Sequence, residues 1–224
     1  MRHVVTSHRD QIGDCQTAAS HFQTKKEEGI TVNIMLVLAH PNKNSFNHAI
    51  ALRIREGLEA QGHIVSFHDL YEETFDPVLY GDERDLLDPL VRQHRAELAA
   101  TEGLVIIHPN WWGQPPAMLK GWIDKIICEG VAYRFNTGDD GSGIPEGLLH
   151  IRSALVVNTS NTPEVRELSA FKDPLDTIWR SCVLAYCGVQ EIRRKVFRVV
   201  AGSTNAQREK WLWEAERLAL YIFR

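Results

Sequence analysis

The sequence has no excess of basic charge: among 224 residues, 25 Lys and Arg face 29 Asp and Glu, a formal net charge of -4. Without a basic face, nucleic acid is not an expected partner. The one dense basic cluster, Arg193-Arg194-Lys195, reads as a solvated turn, although a pyrophosphate-bearing cofactor could use it. Cysteine is sparse. Cys15, Cys128, Cys182 and Cys187 form no C-x-x-C pair and no histidine completes a zinc spacing, so reduced, mostly structural thiols and no metal site are expected. No apolar run approaches the roughly 18 residues that span a bilayer. The amino-terminal segment also lacks the apolar centre of a secretory signal, and a cytoplasmic location is the expectation.

Residues 1–30 are polar, carry His3, His8 and His21, and show no sustained periodicity before Lys25-Lys26-Glu27-Glu28-Gly29. They read as an extension, flexible or loosely packed, without a metal-binding pattern. From Thr31 to Arg224 strand and helix patterns alternate. Strands are predicted at Val32–Ala39, Ile64–Phe67, Leu104–His108, Ala154–Asn158 and between Ile192 and Val200. Helices are predicted at Asn47–Gln61, with a stripe of Ile50, Ile54 and Leu58, then Leu86–Ala100, Met118–Ile127, Leu175–Cys187 and Asn205–Phe223. The last helix has a stripe of Trp211, Ala215, Leu218 and Ile222. Residues 134–149, with four glycines, read as a long loop. Such alternation predicts one α/β domain: a doubly wound, five-stranded parallel sheet of flavodoxin-like order 2-1-3-4-5, with helices on both faces.

Three loops follow predicted strands and therefore share one edge of that sheet, where open α/β domains bind ligands. The first, His40 to Asn47, contains no glycine, which excludes both the G-x-G-x-x-G dinucleotide turn and the P-loop. Ser45, the first N–H groups of the helix and His40 offer an anion site without glycines, or else merely a helix cap and a satisfied histidine. The second is Pro109-Asn110-Trp111-Trp112-Gly113, whose paired indoles suit a planar ligand or simply anchor the loop. The third, Thr159-Ser160-Asn161-Thr162, can present hydroxyl, amide and main-chain donors to the edge of a heterocycle, or is an ordinary strand-to-helix turn.

The string His40 to Ala49 resembles the A-H-P-x(n)-S-F-N-x-A opening of the NAD(P)H:quinone oxidoreductases of flavodoxin-2-like fold. PNWWGQPPAMLKGWIDKI, followed by GVAY, resembles their P-x-x-W segment, and the likeness extends over roughly residues 33–224. The resemblance implies FAD or FMN bound noncovalently, with a mild preference for FAD, NAD(P)H as co-substrate and usually a homodimer with interfacial active sites. It further implies two-electron, ping-pong hydride transfer to a quinone or similar planar acceptor. By position, His40, Ser45, Phe46, Asn47 and Ala49 would hold the phosphate and ribityl region. Pro109, Asn110, Trp111, Trp112 and Gly113 would line the isoalloxazine, with Thr159, Ser160, Asn161 and Thr162 at its pyrimidine edge. Trp112, Tyr133 and Phe135 would contact substrate, the latter two in the partner subunit's pocket. The Tyr and His that assist hydride transfer in some members have no counterpart in Glu167 to Lys172, and no side chain is assigned a catalytic role. The alternative that the resemblance allows is an ancillary flavoprotein subunit of a membrane potassium efflux system.

Overall fold

The computed structural model describes residues 30–136, 138 and 143–224. The expected extension lies, Ile30 apart, outside the described residues, as do Cys15 and the three early histidines.

In chain order the elements are β1 (Asn33–Leu38), α1 (Phe46–Ala60), β2 (Ile64–Asp69), α2 (Glu83–Leu87), α3 (Pro89–Ala100), β3 (Gly103–Pro109), α4 (Ala117–Ile126), β4 (Tyr133–Arg134), β5 (Glu146–Gly147), β6 (Ser153–Ser160), α5 (Glu164–Arg166), a π-helical turn (Glu167–Phe171), α6 (Pro174–Thr177), a second π-helical segment (Ile178–Leu184), β7 (Glu191–Arg198), a 3-10 turn (Val200–Gly202) and α7 (Asn205–Ile222). The main sheet runs β2-β1-β3-β6-β7, every pair parallel. With β6 and β7 as its fourth and fifth strands, this is the expected order.

Alternation along the central strands builds two cores. Met35, Val37, Leu104, Ile106, Ala154 and Val156 point to the face covered by α3, α4 and the 174–184 segment, where Trp122 and Trp179 are fully buried. Ile34, Leu36, Leu38, Val105, Ile107, Leu155 and Val157 point to the opposite face, covered by α1 and α7. Burial on both faces is why these strands read as continuous apolar runs rather than alternating ones. The stripe of α1 is as expected, whereas on α7 the deepest residues are Leu212, Ala215, Ala219 and Ile222; Trp211 and Leu218 are half-buried.

Four other expectations need correction. The helix over 86–100 is two helices, because Pro89 lacks the N–H that would continue the first and the Asp88 carboxylate caps the second through the Leu90 and Val91 N–H groups. The 175–187 helix is one α-helical turn that widens into a π-helical segment. Ends of the glycine-rich loop pair as an antiparallel β4–β5 ribbon, Tyr133 opposite Gly147. Arg193-Arg194-Lys195 is no turn: it lies in β7, and alternation turns Arg194 inward, where it donates to Asp173 Oδ2 at 2.8 Å and Asn158 Oδ1 at 2.7 Å.

Candidate flavin site

The carboxyl ends of β1, β3 and β6 are neighbours in the sheet, so the three loops converge. A cavity of about 370 Å³ lies between them, lined by His40, Ser45, Phe46, Asn47, Pro109, Asn110, Trp111, Thr159, Ser160, Asn161, Thr162, Val200 and Ala201. Adjoining it through Asn110 and Thr162 is a cleft of about 530 Å³ bounded by Trp112, Gly113, Arg166, Glu167, Phe171 and Pro174. A separate concavity against Val32, Glu102, Arg152 and Phe223 sits by the amino ends of the strands, away from the loop cluster. Of the expected residues, Ala49 packs instead on the α1–α7 core, and Tyr133 and Phe135 line neither cavity. These two rings lie edge-to-face at 5.9 Å, with Tyr186 against Tyr133 at 5.1 Å.

Ser45 caps α1 in extended backbone, accepting the His48 N–H at 3.3 Å. Among the described residues the Phe46 and Asn47 N–H groups find no acceptor, as the geometry of a helix start dictates. Asn47 is buried and exchanges hydrogen bonds with Thr159, 2.9 Å from its Nδ2 and 3.2 Å to its Oδ1, tying the first loop to the third. His40 accepts the Asn42 N–H on Nδ1 at 3.1 Å and stands 6.1 Å from the Trp111 ring. Burial holds its imidazole below the ordinary value, opposed by the Asn42 carbonyl.

In the second loop the Asn110 N–H donates to Thr159 O at 2.7 Å, while the Asn110 side chain accepts the Gly113 N–H at 2.9 Å and donates to Glu167 at 3.2 Å. This clamp bends the chain so sharply that Trp112, at φ 57°, and Gly113, at φ 72°, are both left-handed. Glycine adopts that conformation freely; a tryptophan there is strained. The Trp112 side chain is fully exposed, standing at the rim of the 530 Å³ cleft. Behind the loop, Gly121 lets α4 touch the Pro77 backbone, since a Cβ would lie 2.1 Å from Pro77 O. That contact explains the glycine within Leu-Lys-Gly-Trp.

Several residues at this edge escaped sequence reasoning. His48 Nε2 lies 2.7 Å from Asp69 Oδ2, with Ser45 Oγ 2.9 Å from its other ring nitrogen. Glu167, 2 % exposed, faces Arg198 at 3.9 Å; Asp173 bridges Arg194 and Arg198. Asp69 ends a strand and Glu167 follows the third loop, so a search of strand carboxyl ends for charged residues would have flagged both.

Away from the loops, His68, Glu73 and His94 bring three ligand-type atoms within 4.8 Å of one another. Their hydrogen bonding opposes a metal. Trp122 Nε1 can only donate, and it meets His94 Nδ1 at 2.9 Å. A cation on His94 Nε2 would therefore require an imidazolate. The group works instead as a half-buried ion cluster: burial pushes His68 down, but Glu73 and Glu97 outweigh it and raise the imidazole, while the Glu73 carboxyl is lowered to about 2 against its own burial by His68 and His94.

A parallel 2-1-3-4-5 sheet with a ligand cleft at its carboxyl edge defines a flavodoxin-like protein. The sequence profile of the flavodoxin-2 family, described as a flavodoxin-like fold, matches residues 32–218, and the chain belongs to that family. It is 28% identical over 174 residues to an uncharacterized NAD(P)H oxidoreductase of Haemophilus influenzae, covering 74% of this chain and 83% of that one. It is 25% identical over 181 residues to rat NAD(P)H dehydrogenase [quinone] 1, covering 70% of this chain and 65% of that protein's length. In three dimensions it superposes on an FMN-dependent NADH-azoreductase from Bacillus anthracis, solved in complex with FMN, with a TM-score of 0.66 at 13% identity, over 86% of this chain and 100% of the other. The resemblance drawn from His40–Ala49 and the paired tryptophans is borne out. Among the described residues, no helix is long and apolar enough to cross a membrane.

Proposed function

We propose that the protein is a flavin-dependent NAD(P)H:quinone oxidoreductase, cytoplasmic and homodimeric, with FMN or FAD lying across the three loops. One observation carries this reading. The 370 Å³ cavity is lined by neutral donors and aromatic or aliphatic groups, with no carboxylate, and adjoins a cleft rimmed by an exposed indole. That division suits a molecule with an anionic tail and a flat, apolar head.

Ser45 and the free N–H groups of Phe46 and Asn47 would hold the phosphate at the positive end of α1. Thr159, Ser160, Asn161 and Thr162 would meet the polar edge of the ring, and Trp111 and Trp112 would flank its apolar side. When bound, the flavin supplies the hydride-transfer chemistry. The protein's part is orientation and exclusion of water, and one aromatic-walled cleft used in turn by a nicotinamide and by a planar acceptor gives ping-pong kinetics. Trp112, Val165, Leu168 and Phe171 are all exposed, and burying them against a second copy supports the homodimer, with Tyr133 and Phe135 reaching the partner subunit's cleft. No observation favours the ancillary-subunit alternative.

The test is steady-state oxidation of NADH and NADPH by the flavin-loaded protein at several quinone concentrations. Parallel double-reciprocal lines are expected; absence of quinone-dependent turnover with both nucleotides would reject the activity.

A further inference from the structure

The Ser45–His48–Asp69 chain has a donor and acceptor logic that bears on what the start of α1 accepts; the inference rests on the flavin reading above. Asp69 is committed as an acceptor. Its Oδ1 receives the Tyr71 and Glu72 N–H groups at 3.1 and 3.3 Å, and its Oδ2 faces His48 Nε2 at 2.7 Å. The His48 proton must therefore sit on Nε2. In a neutral imidazole Nδ1 is then a bare lone pair, and the Ser45 hydroxyl 2.9 Å away has to donate to it. Because Ser45 Oγ also accepts the His48 N–H, all that remains facing the cavity is an oxygen lone pair. Such a group repels an anion. Rotating the hydroxyl outward without a proton on Nδ1 would leave two lone pairs opposed at 2.9 Å in a site where His48 is 8 % exposed.

Protonating His48 on Nδ1 reverses the bond to Ser45 and leaves the Nε2–H donation to Asp69 in place. Nδ1–H now donates to Ser45 Oγ, the hydroxyl hydrogen is released toward the cavity, and the imidazolium charge is balanced by Asp69. We propose that His48 is the proton-linked positioning residue of the phosphate end: a phosphate ester binds at the start of α1 with uptake of one proton by His48, which turns Ser45 from an acceptor into a donor.

The surroundings permit this. From the end of β1, the His40 ring meets His48 edge-on at 6.2 Å and uses its own Nδ1 on the Asn42 N–H. Beyond β2 the facing charge is Asp69, with the Lys43–Glu72 pair outside it at 2.6 Å. From the third loop the groups around Asn47 are neutral. Asp69 is thus the counter-charge in direct contact with His48.

Calorimetric titration of the full chain with FMN and with riboflavin, at about pH 7.5 where a phosphate ester has already lost its second proton, in two buffers of different ionisation heat, counts the protons. Uptake approaching one proton per FMN, none with riboflavin, and, as that count requires, up to a tenfold fall in FMN affinity per unit rise in pH around 7.5 are expected. His48→Gln and Ser45→Ala should each bind FMN more weakly and without proton uptake. Should either variant fold poorly, nitrogen NMR of His48 in the unaltered protein decides: imidazolium with FMN and neutral without it is expected. Binding of FMN without proton uptake, or a neutral His48 in the complex, overturns this inference and leaves the flavin reading intact. Failure to bind either flavin overturns both.

Discussion

His108 makes the fold acid-sensitive by a calculable amount. The side chain is fully buried at the end of β3; Trp179 Nε1 and Asn158 Nδ2 both donate to its Nε2 at 2.9 Å, and its Nδ1–H donates to Pro109 O at 2.9 Å. With both nitrogens committed, a second proton has no place. Burial lowers the pKa to about 3, against the pull of the Pro109 carbonyl and with a further push from Arg194. The unfolded chain binds that proton below about pH 6.5 and the folded chain does not. This contribution to stability is therefore whole above pH 6.5 and is lost as pH falls toward 3. At about 1.4 kcal/mol per pH unit, the loss between pH 7 and pH 5 is about 2 kcal/mol, a sizeable part of the roughly 5–15 kcal/mol that holds a domain. Urea unfolding of the flavin-free protein and of His108→Gln at both pH values isolates the effect, since His68, raised by its carboxylates and acting with the opposite sign, is common to both. The variant should be less stable at pH 7, and its deficit should shrink by about 2 kcal/mol at pH 5. Parallel losses in the two proteins would refute the assignment.

Other substitutions probe the site and its supports. Gly113→Ala combines a φ of 72° with a Cβ only 2.7 Å from Pro174 Cγ, so a loss of about 1–3 kcal/mol is expected in thermal unfolding, with weaker quenching of FMN fluorescence. Val199→Gly relieves a β-branched residue at φ 60° and should raise stability by about 1 kcal/mol in urea melts. Lys125→Met strands the buried Asp85 carboxylate, 3.3 Å from Lys125 Nζ, and should remove about 3–5 kcal/mol by the same assay. Cys187, its thiol pushed up to about 11 by burial, should resist alkylation in the native protein while exposed Cys182 reacts.

Features that repeat along the chain were legible in the sequence. Unbroken apolar strands and the Ile50-Ile54-Leu58 stripe carry local signals, their alternation points to the doubly wound sheet, and the proline-bounded Trp loop marks its ligand edge. Non-local pairings were not. Nothing near Arg194 reveals that Asp173 and Asn158 neutralise it inside the sheet, nor does His48 announce an Asp69 that only the β1–β2 pairing brings alongside. Helical periodicity also ran across Asp88-Pro89, where the missing N–H outweighed the apolar stripe, and missed the wider turns at 178–184 because they depart from a 3.6-residue repeat. Within the site, the loops were legible; Glu167, which clamps the Trp loop through Asn110, was seen only as a departure from the Tyr/His pattern.

Flavin binding by the three loops is the proposal on which the chemistry depends. Its most direct test is the visible absorbance of the purified full-length protein, followed by chromatography of any heat-released cofactor against FMN and FAD and titration of colourless protein with each. Near-stoichiometric flavin, with the fluorescence of the bound ring quenched by the tryptophan loop, is the predicted result; protein that carries no flavin and takes up neither would contradict the account.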